Sequence, residues 1–339
     1  MQANARVQAY CAIRPKFADF ISRFTDAFES PLQPVIYIVR NDVIPKLTNN
    51  SALMAFRDLV AACAVTRARS LSFVYPNRVG LSYSNYFWLH PWMQNDAIDR
   101  LTASTPALSA FHVVEQFHGQ SSPELSEMEL DEIDEPLFKE MMRRWTLHYL
   151  GAHQRWQDRA LFRSLNMAFQ ASQIPAGVGT TMYDLGRIIA LWVSAFEILA
   201  HPRVKKSGLF EVYLLFGKVS YLDSKLSHRK YVADNAGRKP VPRRSLPCWL
   251  YGKMYRARNK FLHGEPINDK TLRPQGIRLF WLAPSLYRLV LTGALGMKII
   301  KPTKIKPGTN WLEEYAKTQM RINDPQSLTE RALLRAIKP

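Results

Sequence analysis

The residues best placed to do chemistry lie in one short run, Tyr255-Arg256-Ala257-Arg258-Asn259-Lys260-Phe261-Leu262-His263-Gly264, followed by Glu265 and Pro266. Arginine can bind and neutralise an anion, and histidine can exchange a proton near neutral pH. Together they suit phosphoryl or nucleic-acid chemistry. The run reads as the end of a helix, because Gly264 suits the left-handed position past a helix terminus and Pro266 cannot continue the helix. His263 then sits at the C-terminal lip, facing the negative end of the helix dipole. Asn259 and His263 share a face at i, i+4, so Asn259 is expected to orient the imidazole. Arg258 lies about 140° around the helix from His263, and its long side chain can reach the same pocket.

The Arg-to-His spacing is weak by itself, since ordinary composition gives about one such match in a chain of this size. Arg143-Arg144-Trp145-Thr146-Leu147-His148 repeats the spacing inside an uninterrupted helical pattern and reads as a solvated helix face. The later run differs by its helix stop, its Asn259 and a second arginine, Arg256.

Charge supports the same segment. Residues 200–310 hold 23 Lys and Arg against 5 Asp and Glu, a net charge of +18 that equals that of the whole chain. A localised basic field points to a polyanion, most plausibly nucleic acid. Arg256 and Lys260 beside the motif, with Arg238, Lys239, Arg243 and Arg244 in the polar loop 228–245, are the candidate nucleic-acid contacts. A solvated basic surface is the plain alternative.

The chain has 339 residues and a hydrophobic content of 47%, enough for more than one core. Cys11, Cys63 and Cys248 are an odd number without a CxxC pair, which argues against a disulfide framework and fits a reducing cytoplasm. The eight histidines show no HExxH and no His/Cys pairing, so neither a metal site nor a cofactor is expected. Met1 to Lys16 lacks the apolar core of a signal peptide, and Trp281 to Ile300 is broken by Pro284, Arg288 and Lys298, so no membrane span is expected.

The positioning elements follow from periodicity. Residues 1–120 read as a mixed α/β module: helical 1–30, a strand at Gln33–Arg40, a helix at Asn50–Thr66, and strands at Leu71–Tyr75 and Val79–Phe87. Tyr86, Phe87, Trp88, His90 and Trp92 form an aromatic cluster that could stack bases, though aromatics at strand spacing are usually core or domain contacts and a core role is favoured. Residues 121–136 read as an acidic linker and 137–180 as a helical extension. The segment 181–300 reads as a helical bundle: Thr181–Ala200 apolar nearly all round, then Leu209–Leu226, Leu250–His263 and Pro284–Met297. Residues 301–339 read as a basic connector with a Trp311–Met320 helix and a helical tail after Pro325. The polar residues of the first bundle helix, Arg187, Ser194, Glu197 and His201, make one stripe, and Glu197 is the candidate partner of Arg258. Overall the chain is expected to be α+β, with a four-helix bundle following the mixed module.

Glu197 late in the first helix, Arg258-Asn259-x-x-x-His263-Gly264 closing the third, and Tyr287-Arg288-Leu289-Val290 in the fourth resemble the HEPN family, and its Apea-like branch in particular, over about residues 181–297. The resemblance implies a metal-independent endoribonuclease working as a homodimer, two motif helices forming one composite site. Arg258 would bind the scissile phosphate, His263 would be the general acid/base, Asn259 the orienting group and Glu197 a support for Arg258. It also implies a cytoplasmic effector of prokaryotic defence or toxin-antitoxin conflict, with RNA as substrate and an antitoxin or defence partner. A non-catalytic RNA- or nucleotide-binding module, or a dimerising scaffold, is the alternative.

Overall fold

The computed structural model describes residues 9, 11–22, 44–47, 49–76, 83–87, 93–94, 101–105, 108–111, 133–151, 154–173, 181–204, 207–233, 242–299, 310, 312–313, 316, 320 and 324–337. Helix accounts for most of them. The chain divides into two compact units, one made of residues 1–54 and 86–126, the other of 55–85 and 127–339. The mixed module expected over 1–120 is therefore interrupted: residues 55–85 belong with the helical second unit.

In the first unit, α1 (Pro15–Ser22) stands in the stretch expected to be helical. Three strands, β1 (Met93–Gln94), β2 (Leu101–Thr105) and β3 (Leu108–Phe111), form an antiparallel sheet in the order β1-β2-β3. The strand expected at Gln33–Arg40 lies outside the described residues, as do Trp88, His90 and Trp92.

α2 (Asn50–Val74) begins where the Asn49 side chain accepts the Ala52 N–H at 2.9 Å, and it enters the second unit at Ala55. The strand expected at Leu71–Tyr75 is a correction: that run is the last turn of α2. Its β-branched and aromatic residues resemble a strand locally, but Val74 packs on Leu328 and Ala332, and this tertiary burial overrides propensity. Pro76 then disfavours further helix. Ser84–Phe87, also expected as strand, is a 3₁₀ turn, tied to its neighbour by the Ser84 hydroxyl donating to the Phe169 carbonyl at 2.6 Å.

The helices α3 (Glu135–Leu150), α4 (Trp156–Ala171), α5 (Met182–Ala200), α6 (Leu209–Gly217), α7 (Leu246–Leu262), the one-turn α8 (Asp269–Leu272), α9 (Leu279–Leu295) and α10 (Pro325–Ala336) complete the second unit. α5 lies at their centre, touching α4, α6, α7, α8 and α9. Thr181 starts it with a capping box, its backbone N–H donating to Asp184 Oδ2 at 2.7 Å. Trp192 and Phe196 of α5, Phe216 of α6, Tyr251 of α7 and Tyr287 of α9 make an aromatic core, each fully buried or nearly so. Burying each such side chain contributes about 1.5–3 kcal/mol.

Two glycines set close approaches. A Cβ on Gly186 would come within 2.7 Å of the side chains of Phe261 and Ile267, which lets the end of α7 lie against α5. A Cβ on Gly293 would meet the Leu215 carbonyl oxygen at 2.7 Å, so α9 and α6 are nearly in backbone contact. The helix expected to run to Leu226 stops at Gly217. Beyond it, Glu330 of α10 accepts the N–H groups of Leu222 and Asp223 at 2.8 and 2.7 Å, holding the chain in a turn. Loop 228–245 is closed by a small ribbon, β4 (Tyr231–Val232) paired with β5 (Arg243–Arg244).

Asp134, read as part of the acidic linker, is fully buried. It caps α3 through the Leu137 N–H at 3.2 Å and accepts Arg288 Nε of α9 at 2.5 Å. Arg288 Nη1 also donates to Gln326 of α10 at 2.5 Å. This polar network ties three helices together inside an apolar core. Asp134→Asn keeps the cap but leaves Arg288 buried without a counter-charge, so it is expected to destabilise the protein by on the order of 3 kcal/mol in chemical denaturation. Adding Arg288→Met should recover part of that loss, because the uncompensated charge goes with it; a double variant that is additive with the singles contradicts this account.

Candidate functional site at the end of α7

α7 ends as its sequence requires. His263 caps it, Gly264 takes φ 73°, the Gly264 N–H donates to the Phe261 carbonyl at 3.3 Å, and the Glu265 N–H donates to the Lys260 carbonyl at 2.9 Å. This is the Schellman arrangement, in which the left-handed residue turns the chain back over the last carbonyls. His263 is exposed, and its side chain makes no hydrogen bond, ion pair or ring contact among the described residues.

One turn earlier, Arg258 points toward α5. Its Nη2 donates to Glu197 Oε2 at 2.9 Å and its Nη1 to Asn259 Oδ1 at 2.9 Å. The guanidinium carbon lies 5.5 Å from the centre of the Tyr255 ring. Arg258 Nε is buried without a hydrogen-bond partner among the described residues. The pairing of Arg258 with Glu197 thus joins two elements 61 residues apart. Asn259 differs from its expected role. Its side chain orients Arg258, and the only bond between Asn259 and His263 runs through the backbone, from the His263 N–H to the Asn259 carbonyl at 2.9 Å.

Burial pushes the Glu197 carboxyl up from its ordinary value, Arg258 opposes that shift, and the nearby Glu211 adds to it. Tyr251, fully buried one turn before Tyr255, carries a hydroxyl with no hydrogen-bond partner among the described residues, and burial pushes its phenol well up, with Glu197 adding to the shift. Sequence reading passed over Tyr251 and Tyr255. The signal was available: Tyr251, Tyr255 and Arg258 recur at i, i+4 and i+7, one helix face.

The proposed contacts divide. Arg256 is half-buried, its Nε is 3.5 Å from the Gly252 carbonyl, and burial pushes its guanidinium down, with Tyr213 of α6 opposing the shift. Lys260 is exposed and lies 3.7 Å from Glu265. Arg243 is exposed on β5 and Arg244 is half-buried beside it. Arg238 and Lys239 lie outside the described residues. The remaining stripe residues do other work, since Arg187 pairs with Asp184 at 3.7 Å and His201 Nδ1 accepts the Arg203 N–H at 3.0 Å.

The repeated spacing at Arg143/His148 is a correction of another kind. His148 is not on a solvated face; it is buried against Tyr149 and Phe162, and burial pushes its imidazole down. Arg143 is the exposed member, held by Glu140 at 2.6 Å.

Among the described residues no three His, Cys, Asp or Glu side chains come together as a metal-ligand group, and no helix is long and apolar enough to cross a membrane. No family profile, curated protein or solved structure matches the chain.

The raised Glu197 carboxyl has a consequence for stability. The folded protein holds that proton more tightly than the unfolded chain, so the group's contribution is complete below the ordinary Glu pKa and is lost as pH rises through the raised value. Glu197→Gln cannot ionise and removes this loss. In urea unfolding, the stability of the variant relative to wild type should therefore shift in the variant's favour between about pH 4 and pH 7. A shift toward wild type over that range means that the Arg258 pairing outweighs burial.

Proposed function

We propose that the protein is a metal-independent endoribonuclease of the HEPN type, acting in the cytoplasm as a homodimer and serving as an effector in prokaryotic defence or toxin-antitoxin conflict, where an antitoxin or other partner would hold it in check. The observation that carries this reading is the cluster at the end of α7: Arg258 oriented by Glu197 and Asn259, one turn below an exposed, uncommitted His263. The helical character of the second unit, with α5, α6, α7 and α9 sharing an aromatic core, is compatible with the reading. The basic segment around them suits an RNA backbone.

In this reading the substrate provides its own nucleophile. The ribose 2′-oxygen attacks phosphorus, its proton passes to the imidazole of one protomer, and the bond from phosphorus to the 5′-oxygen breaks. The second protomer's imidazole gives a proton to the departing 5′-oxygen, leaving a cyclic 2′,3′-phosphate and a 5′-hydroxyl. Arg258 stabilises the charge that grows on the non-bridging oxygens. Glu197 holds the guanidinium ready before substrate arrives, and its raised proton affinity weakens its competition with phosphate.

The test is cleavage of a structured RNA by purified protein in the presence of EDTA, with the end groups identified. His263→Ala should lower the rate by on the order of a hundredfold or more with an unchanged melting curve, since the side chain is exposed and supports no packing. Arg258→Ala should do the same at some cost in stability, through the unpaired Glu197. Equal rates for wild type and His263→Ala sink the catalytic assignment. Salt-sensitive RNA retention without cleavage by either protein favours the binding module instead.

A further inference from the structure

At the other end of α7 lies a second site, separate from the cluster around Arg258 and His263. A cavity of about 320 Å³ opens between α6, the turn that follows it and the start of α7, within the size range of pockets for small organic ligands. Phe210, Tyr213, Leu214 and Tyr221 contribute an apolar wall, and Arg229 and Arg244 also line the cavity. Phe210 and Leu214 are 64% and 52% exposed, so the apolar wall is open to solvent rather than closed by the protein's own packing.

The charge in this cavity is unbalanced. No carboxylate pairs with Arg229 or Arg244 among the described residues. The Arg244 guanidinium carbon lies 5.2 Å from the centre of the Tyr213 ring, and its Nε is buried with no hydrogen-bond partner among the described residues. Cys248, on the cavity floor, does not neutralise the pair: burial pushes its thiol up despite both arginines. Two uncompensated cations beside an aromatic wall are suited to an anion with a flat apolar body.

Tyr213 stands close against α7. A Cβ on Gly252 would come within 2.8 Å of its hydroxyl, so the glycine there gives the ring room beside Arg244. Gly217, one turn further along the same helix, also lines the cavity, and a Cβ there would meet nothing within 4 Å. The cavity therefore has an aromatic side and, at Gly217, an unfilled one.

We propose that this cavity binds a small aromatic anion, its negative head on Arg229 and Arg244 and its ring against Phe210 and Tyr213. The assignment shares Arg244 with the candidate nucleic-acid contacts but needs none of Glu197, Arg258, Asn259 and His263. The full-length protein is titrated with the fluorescent probe anilinonaphthalene sulfonate. AMP, indole acetate and decanoate are then added as competitors, the first two carrying an aromatic body with a phosphate or carboxylate head, the third an aliphatic one.

Wild type is expected to give saturable single-site binding that AMP or indole acetate displaces and decanoate does not; which of the two displaces it identifies the head group. The double variant Arg229→Gln/Arg244→Gln should weaken the probe by about tenfold or more, the loss of a charge-assisted contact. Gly217→Leu, which fills the open side without touching the charge, should remove saturable binding while leaving the melting curve in place. The proposal is overturned if the probe does not saturate, if both variants bind like wild type, or if decanoate alone displaces it.

Discussion

The second unit is governed by the burial of α5. A helix with Ile188, Ile189, Trp192, Val193, Phe196 and Leu199 facing inward must be surrounded, and α4, α6, α7 and α9 do this. Once it is surrounded, every polar side chain that α5 still carries near its end needs a partner from a neighbour, because an unpaired half-buried carboxylate is unfavourable. Glu197 finds Arg258. The guanidinium is therefore fixed by a folding requirement before any ligand is considered, and the position of the α7 lip follows from it. Gly186 allows the close contact with Phe261 and Ile267 that brings the two helices together there.

The end of α7 was readable because its signals are local. Gly264 at positive φ and Pro266 beyond it define a terminus that any context would respect, and the i, i+4 rule puts Asn259 and His263 in line. The pairing of Arg258 with Glu197 was readable for a different reason, since an acid in the last turns of a mostly apolar helix has few ways to be satisfied. What misled was the assumption that orientation follows spacing alone. Asn259 has two neighbours within reach, and its amide oxygen takes the stronger, charged donor, Arg258, rather than the imidazole.

The misread elements share a cause. Leu71–Tyr75 looked like strand and Asp134 looked like solvated linker because both were judged by their neighbours in sequence. Their actual surroundings come from far along the chain: Val74 meets Leu328 and Ala332, and Asp134 meets Arg288. His148 is the same case, a polar residue in a helical pattern whose burial depends on Phe162 of the next helix. Periodicity reports which face is apolar, but it does not report that a histidine or aspartate on that face has been enclosed with a partner or an aromatic neighbour.

Arg258 is the point where structure and the proposed chemistry make competing demands. An arginine fully satisfied by a carboxylate would have to give up that bond to receive a phosphate, which costs most of what the phosphate contributes. The geometry here relaxes the conflict in two ways. Nη1 and Nη2 each carry a second N–H beyond the one that is engaged, so donors remain for a new acceptor. Burial and Glu211 also raise the proton affinity of Glu197, so the carboxylate holds its charge less firmly than an exposed one. In the proposed reaction an incoming phosphate would supply the anion that Arg258 needs, and a proton on Glu197 would then remove the repulsion between the two acids' charges. The Arg258–Glu197 pair is partly exposed, so a ligand can compete for the guanidinium there in a way that the deeply buried pair of Asp134 and Arg288 does not allow.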